Sequence, residues 1–282
     1  MVLYYHVVLF QDGKEIINMN EKFKYVLKGL LALVIFYGCS IVTGLVAGFG
    51  LGFYIAFTGK ELSAIETYAT SPLFNAITTG LSDILAIIVC LLIMKFSKKE
   101  YKYNNKVTAL SILFFVMFGI FLGNATDLTY TTSTGIKEAV NYMSSFMSNF
   151  WLSILVVGII APVAEELLFR GIMFENFRKG FPQVAAVIIA AAIFGLLHIT
   201  GGLLYFVSTF IIGIFACIVV IKTNSIIYPM VIHITNNIMS VILFKIGYYN
   251  FNFSTMLIIN IVSILITCGL TYILMKKFKK VK

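Results

Sequence analysis

Two glutamates and an arginine lie in one of the most apolar stretches of this sequence, APVAEELLFRGIMF at residues 161–174. Glu166 and Arg170 are four residues apart, so on a helix they share a face and can form an ion pair. Glu165 points about 100° away from Glu166 on an α-helix and has no such local partner. The spacing therefore predicts one paired and one free carboxylate, and a free carboxylate in an apolar setting can act as a general base.

Two of the three histidines lie in other apolar stretches. In FGLLH, Phe194 precedes His198 by one helical turn, so its ring can pack under the imidazole. In HITNN, Asn237 follows His233 by one turn, with Asn236 on a neighbouring part of the face. Taken singly, each group could serve helix packing, and the charged residues of the first stretch could form a buried structural network. Because separate stretches all contribute polar groups to one apolar bundle, the pattern favours a functional site.

The composition predicts that these residues belong to a membrane protein. Hydrophobic residues make up 60% of the 282 positions and charged residues only 12%, against about 25% charged in soluble proteins. A helix that spans a bilayer needs roughly 20 mostly apolar residues. The predicted spans are residues 25–57, 73–96, 108–125, 149–173, 183–201, 203–222, 225–246 and 254–275. We therefore expect an all-α, polytopic helical bundle with about eight transmembrane helices.

We expect this bundle to form a single transmembrane domain, at residues 25–275. An N-terminal cytoplasmic segment would occupy residues 1–24, and a basic cytoplasmic tail residues 276–282. No internal repeat or Pro/Gly-rich linker divides the sequence. The first apolar stretch is too long for a signal-peptide core, so we expect it to be retained.

Lysine and arginine alternate between loops and so predict the orientation of the bundle. The cation-rich segments contain Lys14, Lys22, Lys24, Lys28, Lys95, Lys98, Lys99, Lys102, Lys106, Arg178, Lys179, Lys222, Lys276, Lys277, Lys279, Lys280 and Lys282. The intervening loops offer only Lys60, Lys137 and Lys245. Both termini are therefore expected in the cytoplasm, in agreement with an even number of spans.

The net charge of +9 is explained by a lysine-rich rim against anionic membrane lipid, and no nucleic-acid partner is expected. Few arginines, many lysines and many Ile and Asn residues indicate a bacterial source. The sequence therefore predicts an integral protein of the bacterial cytoplasmic membrane.

The patterns EELLFR at 165–170, FGLLH at 194–198 and HITNN at 233–237 resemble the three motifs of the CPBP intramembrane proteases. This family is also called Abi or CAAX-protease-like, and it includes the type II CAAX prenyl endopeptidases. The resemblance covers roughly residues 149–246, the expected protease-like core. Some relatives carry another polar residue four positions after the second-motif histidine, where this chain has Gly202.

The resemblance implies an endopeptidase that hydrolyses a peptide bond of a membrane-associated peptide or protein. Glu165 and His198 would activate a water, and His233 and Asn237 would hydrogen-bond the oxyanion that develops. The residues that would support this set are Glu166, Arg170, Phe194 and Asn236. Prenylated substrates are not expected in bacteria, so a peptide pheromone, a bacteriocin precursor or a membrane protein is favoured.

A rival version of the same enzyme uses zinc. Glu165, His198 and His233 would be its ligands, with the fourth position open for water. No HExxH motif is present, and Asn237 would then need another role. We favour the metal-free mechanism, so no cofactor is expected.

Two readings outside the enzyme class remain open. Asp83, a further carboxylate in an apolar span, could relay protons with Glu165 and the histidines in a proton-coupled transporter. The chain could also be a non-catalytic scaffold that regulates a membrane partner, such as a sensor kinase or the bacteriocin-immunity machinery. No inverted repeat of the transporter kind is apparent, and the complete set of motif residues favours catalysis.

The sequence places the candidate residues at different depths in the membrane. Counted at about 1.5 Å per residue from the predicted cytoplasmic boundaries, His198 lies deeper than Glu165, and His233 lies shallower. Helix tilts of about 20° or more, a break near Gly201 and Gly202 or a bend of the fourth span at Pro162 would reconcile these depths. We expect the fifth helix to be the one that is displaced.

Overall fold

The computed structural model describes residues 9–11, 14–16, 19–96, 107–147 and 149–278. Its helices are α1 (Met19–Thr58), α2 (Ala64–Ala69), α3 (Pro72–Phe96), α4 (Ala109–Thr126), α5 (Ser133–Ser144), α6 (Phe150–Gly180), α7 (Gln183–Leu196), α8 (Leu203–Thr223), α9 (Ile227–Lys245) and α10 (Phe253–Lys277). Three 3₁₀ turns cover Thr129–Thr131, Ile199–Gly201 and Tyr248–Asn250. A small antiparallel hairpin of β1 (Leu9–Gln11) and β2 (Lys14–Ile16) precedes α1, with Leu9 opposite Ile16.

The all-α membrane bundle predicted from composition is confirmed. In the described part of the chain, seven helices are long and apolar enough to cross a membrane, namely α1, α3, α4, α6, α8, α9 and α10. The fifth predicted span, residues 183–201, differs from the other seven. It forms the 14-residue helix α7, which is roughly 21 Å long, and a bilayer core is about 30 Å thick. The chain then turns through Ile199–Gly201 and Gly202, whose φ of 98° suits glycine.

Close contacts give the directions of the helices. Gly195 faces Phe206 and Gly213 faces Ala191, so α7 and α8 are antiparallel. Gly119 faces Ile232 and Gly123 faces Asn236, so α4 and α9 are parallel. These contacts are close because glycine lets helix backbones approach.

Further contacts relate the ends of the chain to the rest of the bundle. Gly180 faces Lys22 and Gly29 faces Met173, so α1 is antiparallel to α6. Asn260 donates to the carbonyl of Asn124, while Phe278 contacts Phe114, so α10 is antiparallel to α4. The start of α1 and the end of α10 therefore lie at the same end of the bundle.

Helix α6 is continuous but changes register on both sides of Pro162. It is π-helical at Val156–Ile160 and again at Glu166–Phe174, with an α-helical turn at Ala161–Glu165 between them. The amide of Ala161 donates to the carbonyl of Val156, five residues earlier. Proline has no amide hydrogen to donate, and π-helical turns of this kind are frequent at functional sites.

Helix α5 was not predicted, because residues 126–148 are too polar for a span. Thr132 caps it by accepting a hydrogen bond from the amide of Gly135, which satisfies one of the free donors of its first turn. It contacts α8, α9 and the 3₁₀ turn after α7. The connection between α4 and α6 therefore covers the end of the bundle where α7 stops.

Several charge predictions lie outside the described residues. These concern Lys98, Lys99, Lys102, Lys106, Lys279, Lys280 and Lys282, and residues 1–8, 12–13 and 17–18 of the predicted N-terminal segment 1–24. The predicted domain boundaries at 24 and 275 remain predictions.

Candidate active site

The structure brings Glu165 together with both motif histidines. Its Oε2 atom lies 3.8 Å from Nε2 of His198 and 3.7 Å from Nε2 of His233. The side chains of Glu165, His198 and His233 are 16%, 14% and 8% exposed. Oε2 of Glu165 is buried and makes no hydrogen bond within the described structure. These separations are longer than a direct hydrogen bond, so they leave Oε2 and both nitrogens facing a common small space.

His198 lies in the turn after α7 and not on a helix face, which corrects the predicted helix to residue 201. Its Nδ1 is 2.9 Å from the carbonyl of Phe194. A carbonyl oxygen can only accept, so Nδ1 carries the proton, and in the neutral ring Nε2 presents a lone pair to Glu165. The same bond satisfies one of the carbonyls that the end of α7 leaves free.

Glu166 holds His233 from the opposite side. Its Oε1 atom is 2.9 Å from Nδ1 of His233 and 2.9 Å from Nη1 of Arg170. The Glu166–Arg170 pair predicted from the spacing is therefore present, and both side chains are 1% exposed. Because a carboxylate oxygen accepts, Nδ1 of His233 carries a proton and Nε2 is directed at Glu165. The sequence did not indicate this contact, since residues 166 and 233 lie on different helices.

Phe194 connects the groups that surround the pair. Its ring centroid is 4.8 Å from that of His198 and 5.7 Å from that of His233. The guanidinium carbon of Arg170 lies 4.3 Å from the same centroid, a cation–π contact. Arg170 also donates to the carbonyl of Gly213 on α8 at 3.4 Å. The positive charge of Arg170 is thus stabilised in an apolar interior by a carboxylate, an aromatic ring and a backbone carbonyl.

Asn237 is joined to the π-helical turn of α6. Its Nδ2 donates to the carbonyl of Val157 at 2.9 Å. In a π-helix each carbonyl accepts a hydrogen bond from the amide five residues later. The carbonyl of Val157 would therefore accept from residue 162, which is a proline. Since proline cannot donate, the asparagine side chain supplies the missing donor. Asn236 donates to Oδ1 of Asn237 at 3.4 Å.

Of the motif residues, the ones that line a common cavity of 490 Å³ are Glu165, Phe169, Phe194, Leu197, His198, His233, Asn236 and Asn237, and this volume is within the usual range for ligand sites. Sequence reasoning did not assign the contributions of Tyr142 on α5, Tyr205 on α8 and Asp127 at the end of α4. Burial and the charge of Glu165 raise the pKa of the Tyr142 phenol, so this phenol keeps its proton. Asp83 on α3 also lines the cavity. The sequence feature that singles it out is a carboxylate within an apolar span.

Gly202 occupies the position at which some relatives carry a polar side chain. The carboxylate of Glu138, on α5, lies in the space that a side chain at 202 would fill. The positive φ of Gly202 also disfavours other residues there. Glu138 therefore supplies the polar group nearest to this position.

The zinc alternative names the three side chains that converge here, Glu165, His198 and His233. Among the described residues, no group of three or more His, Cys, Asp or Glu side chains is placed closely enough to hold a metal ion. Both imidazoles nevertheless donate through Nδ1 to an acceptor, which is also how histidines are oriented in metal sites.

Together, the fold and the site define a polytopic membrane protein with a buried carboxylate and two histidines that face one cavity. Residues 147–239 match the family model described as type II CAAX prenyl endopeptidase Rce1-like. The resemblance to the CPBP, or CAAX-protease-like, family is confirmed for this segment. The class to which this segment is similar is that of the CAAX-type intramembrane proteases, which are hydrolases.

One similar curated protein is an uncharacterized protein of Mycoplasma capricolum subsp. capricolum. It is 24% identical over 193 residues, which cover 62% of this chain and 56% of that protein. The chain thus spans little more than half the length of this relative. No solved structure matches the chain.

Proposed function

We propose that this protein is a glutamate-dependent intramembrane endopeptidase that cleaves a membrane-associated peptide or protein. The observation that carries the proposal is the position of Oε2 of Glu165, which is buried, makes no hydrogen bond to any described residue and faces Nε2 of both histidines. A water in this space can hydrogen-bond the carboxylate and His198 at once. The family match of residues 147–239 supports the protease class.

In this mechanism Glu165 takes a proton from the water as its oxygen attacks the carbonyl carbon of the scissile peptide bond. His198 accepts the second hydrogen bond of the water, because its Nδ1 proton is engaged by the carbonyl of Phe194. When the tetrahedral intermediate breaks down, protonated Glu165 gives its proton to the leaving amine. The carboxylate is thereby regenerated.

His233 and Asn237 would stabilise the oxyanion. The hydrogen bond from Nδ1 of His233 to Glu166 fixes the ring so that Nε2 is directed into the cavity, where it would donate to the oxyanion whenever it carries a proton. Asn237 uses one amide hydrogen on Val157 and retains a second for the substrate. Each such donor is typically worth about 3 to 4 kcal/mol in the transition state.

The proposal is tested by comparing the membrane peptides of cells that express wild-type or Glu165→Ala protein. Peptides that end at a new terminus in the wild type, and that persist uncut in the variant, would identify the substrate. Identical peptide patterns in the two strains, with equal protein levels, would refute catalysis through Glu165.

Metal removal separates the metal-free mechanism from the zinc version. We expect cleavage by the purified protein to survive treatment with a strong chelator, because a carboxylate and a neutral imidazole suffice to activate water. The measurement is the rate of peptide cleavage before and after chelation. Loss of activity that added zinc restores would assign Glu165, His198 and His233 as ligands.

A further inference from the structure

Asp83 is a buried carboxyl group that the proposed mechanism does not use. It lies on α3, is 6% exposed and lines the same cavity as Glu165. Its Oδ2 atom is buried and has no hydrogen-bond partner in the described structure. A carboxylate at this depth costs several kcal/mol unless it is compensated, so a ligand that brings positive charge would be stabilised there.

Four of the five hydroxyl groups that α1 and α3 contribute to the cavity, all but that of Thr79, have their protons engaged within the described structure. Ser40, Thr43 and Thr78 each donate to the backbone carbonyl four residues earlier in their own helix, at 3.0, 2.9 and 2.9 Å. The hydroxyl of Ser82 lies 3.1 Å from that of Ser40, whose proton is engaged, so Ser82 donates to it. This wall of the cavity, formed by α1 and α3, therefore presents oxygen acceptors.

Other charges in the cavity have partners or a role. Asp127 accepts from the amide and the hydroxyl of Thr129 at 2.9 and 2.6 Å, and Glu165 is the proposed base. No lysine or arginine is among the described residues that line the cavity. A substrate carboxylate would meet no cation on these walls, whereas an ammonium or guanidinium group, which only donates, matches a wall of acceptors.

We infer that the cavity selects peptides with a lysine or arginine close to the scissile bond, and that Asp83 binds this cation. The inference rests on the proposed peptidase function and specifies its substrate class. Asp83 is then a specificity residue that contacts the substrate, while Glu165 acts on the water. A peptide in the cavity contacts both carboxylates because they line one continuous space.

The test uses the purified full-length protein in detergent and a positional scan of fluorescence-quenched peptides. Each peptide carries a single arginine and is paired with the same peptide carrying citrulline, which has nearly the same shape but no charge. In the wild type we expect kcat/KM to be about 10-fold or more higher for arginine at one position near the cleavage site. In Asp83→Asn this ratio should fall towards one.

Asp127→Asn is the matched control. It also removes a carboxylate from this cavity, but one that already accepts two hydrogen bonds from Thr129. It should keep the preference for arginine. Thermal stability of Asp83→Asn should equal or exceed that of the wild type, since a buried carboxyl group whose Oδ2 has no hydrogen-bond partner in the described structure is replaced by a neutral amide of the same shape. A preference for arginine that Asp83→Asn leaves intact, or equal cleavage of both peptides by the wild type, would overturn the inference and leave the peptidase proposal standing.

Binding of the same peptide pair, followed by fluorescence anisotropy, separates the two proposals. If no peptide is cleaved but arginine still binds about 10-fold more tightly through Asp83, the cation site stands and the peptidase proposal fails. Equal affinity for the two peptides in the wild type contradicts the cation site whether or not cleavage occurs.

Discussion

At the scale of single residues, the two adjacent glutamates have separate surroundings. Glu165 faces the cavity and two imidazole nitrogens at 3.7 and 3.8 Å. Glu166 is 1% exposed and bonds Arg170 and His233 through one oxygen. Glu165 is placed to act on a water, whereas Glu166 holds His233, the imidazole that faces Glu165. Equivalent substitutions at the two positions should therefore have different effects.

Glu165→Gln should remove activity without unfolding the protein. The amide keeps the shape of the side chain but cannot accept the proton, so turnover should fall by roughly 100-fold or more. Cleavage rate and thermal stability in detergent measure the two effects. Glu66→Gln, an exposed change on α2, is the control and should match the wild type. Wild-type turnover in Glu165→Gln would remove the catalytic assignment.

Glu166→Gln should reduce stability as well as activity. It leaves Arg170 in the interior without its charged partner, and breaking a buried pair typically costs about 3 to 5 kcal/mol. It also weakens the hydrogen bond that orients His233. The midpoint of chemical or thermal unfolding measures the loss. If Glu166→Gln were stable but inactive and Glu165→Gln unstable, the two carboxylates would have exchanged roles.

At the scale of helices, the site depends on places where regular structure stops or changes register. Helix α7 ends at Leu196. His198, in the turn that follows, can therefore bond the free carbonyl of Phe194 through Nδ1 and face Glu165 through Nε2. The π-helical turn before Pro162 leaves a carbonyl that Asn237 occupies. Each irregularity thus joins one motif to the rest of the site.

The contact between α4 and α9 gives a prediction at this scale. A Cβ added to Gly119 would lie 2.5 Å from the carbonyl oxygen of Ile232, so Gly119→Ala must displace α9 next to His233. We expect a loss of roughly 1 to 3 kcal/mol together with reduced cleavage. The control is Gly48→Ala on α1, where a Cβ would have no atom within 4 Å. Equal unfolding midpoints for both variants would contradict the close packing of α4 on α9.

At the scale of the whole molecule, the helix directions bear on topology. Helices α7 and α8 are antiparallel, so together they return the chain to the side from which α7 starts. The start of α1 and the end of α10 also lie at one end of the bundle. The shortness of α7 therefore does not change the predicted relation between the termini.

We predict that this end faces the cytoplasm, because the lysine-rich loops lie on that side by the charge rule for membrane proteins. Reporter fusions at both termini should be active only when the reporter works in the cytoplasm. A fusion in the loop that carries Lys60, between α1 and α3, should behave in the opposite way. A terminus found on the outer side would refute the predicted orientation.

The sequence by itself determined the class of fold and the identity of the motifs. Apolar stretches of membrane length predict helices because backbone groups in lipid must bond within their own segment. The Glu166–Arg170 pair and the packing of Phe194 on His198 also followed from sequence, since both depend on spacing along one segment of chain.

Only the tertiary structure decided which groups meet across helices. The bond from Glu166 to His233 joins residues 67 positions apart, and the acceptor-lined wall beside Asp83 combines α1 with α3. The early end of α7 was also unpredictable, because the sequence is apolar without interruption from residue 184 to residue 197, whereas the helix ends at Leu196 and His198 bonds the carbonyl of Phe194. Local spacing fixes neighbours on one helix, whereas contacts between helices depend on how their faces pack.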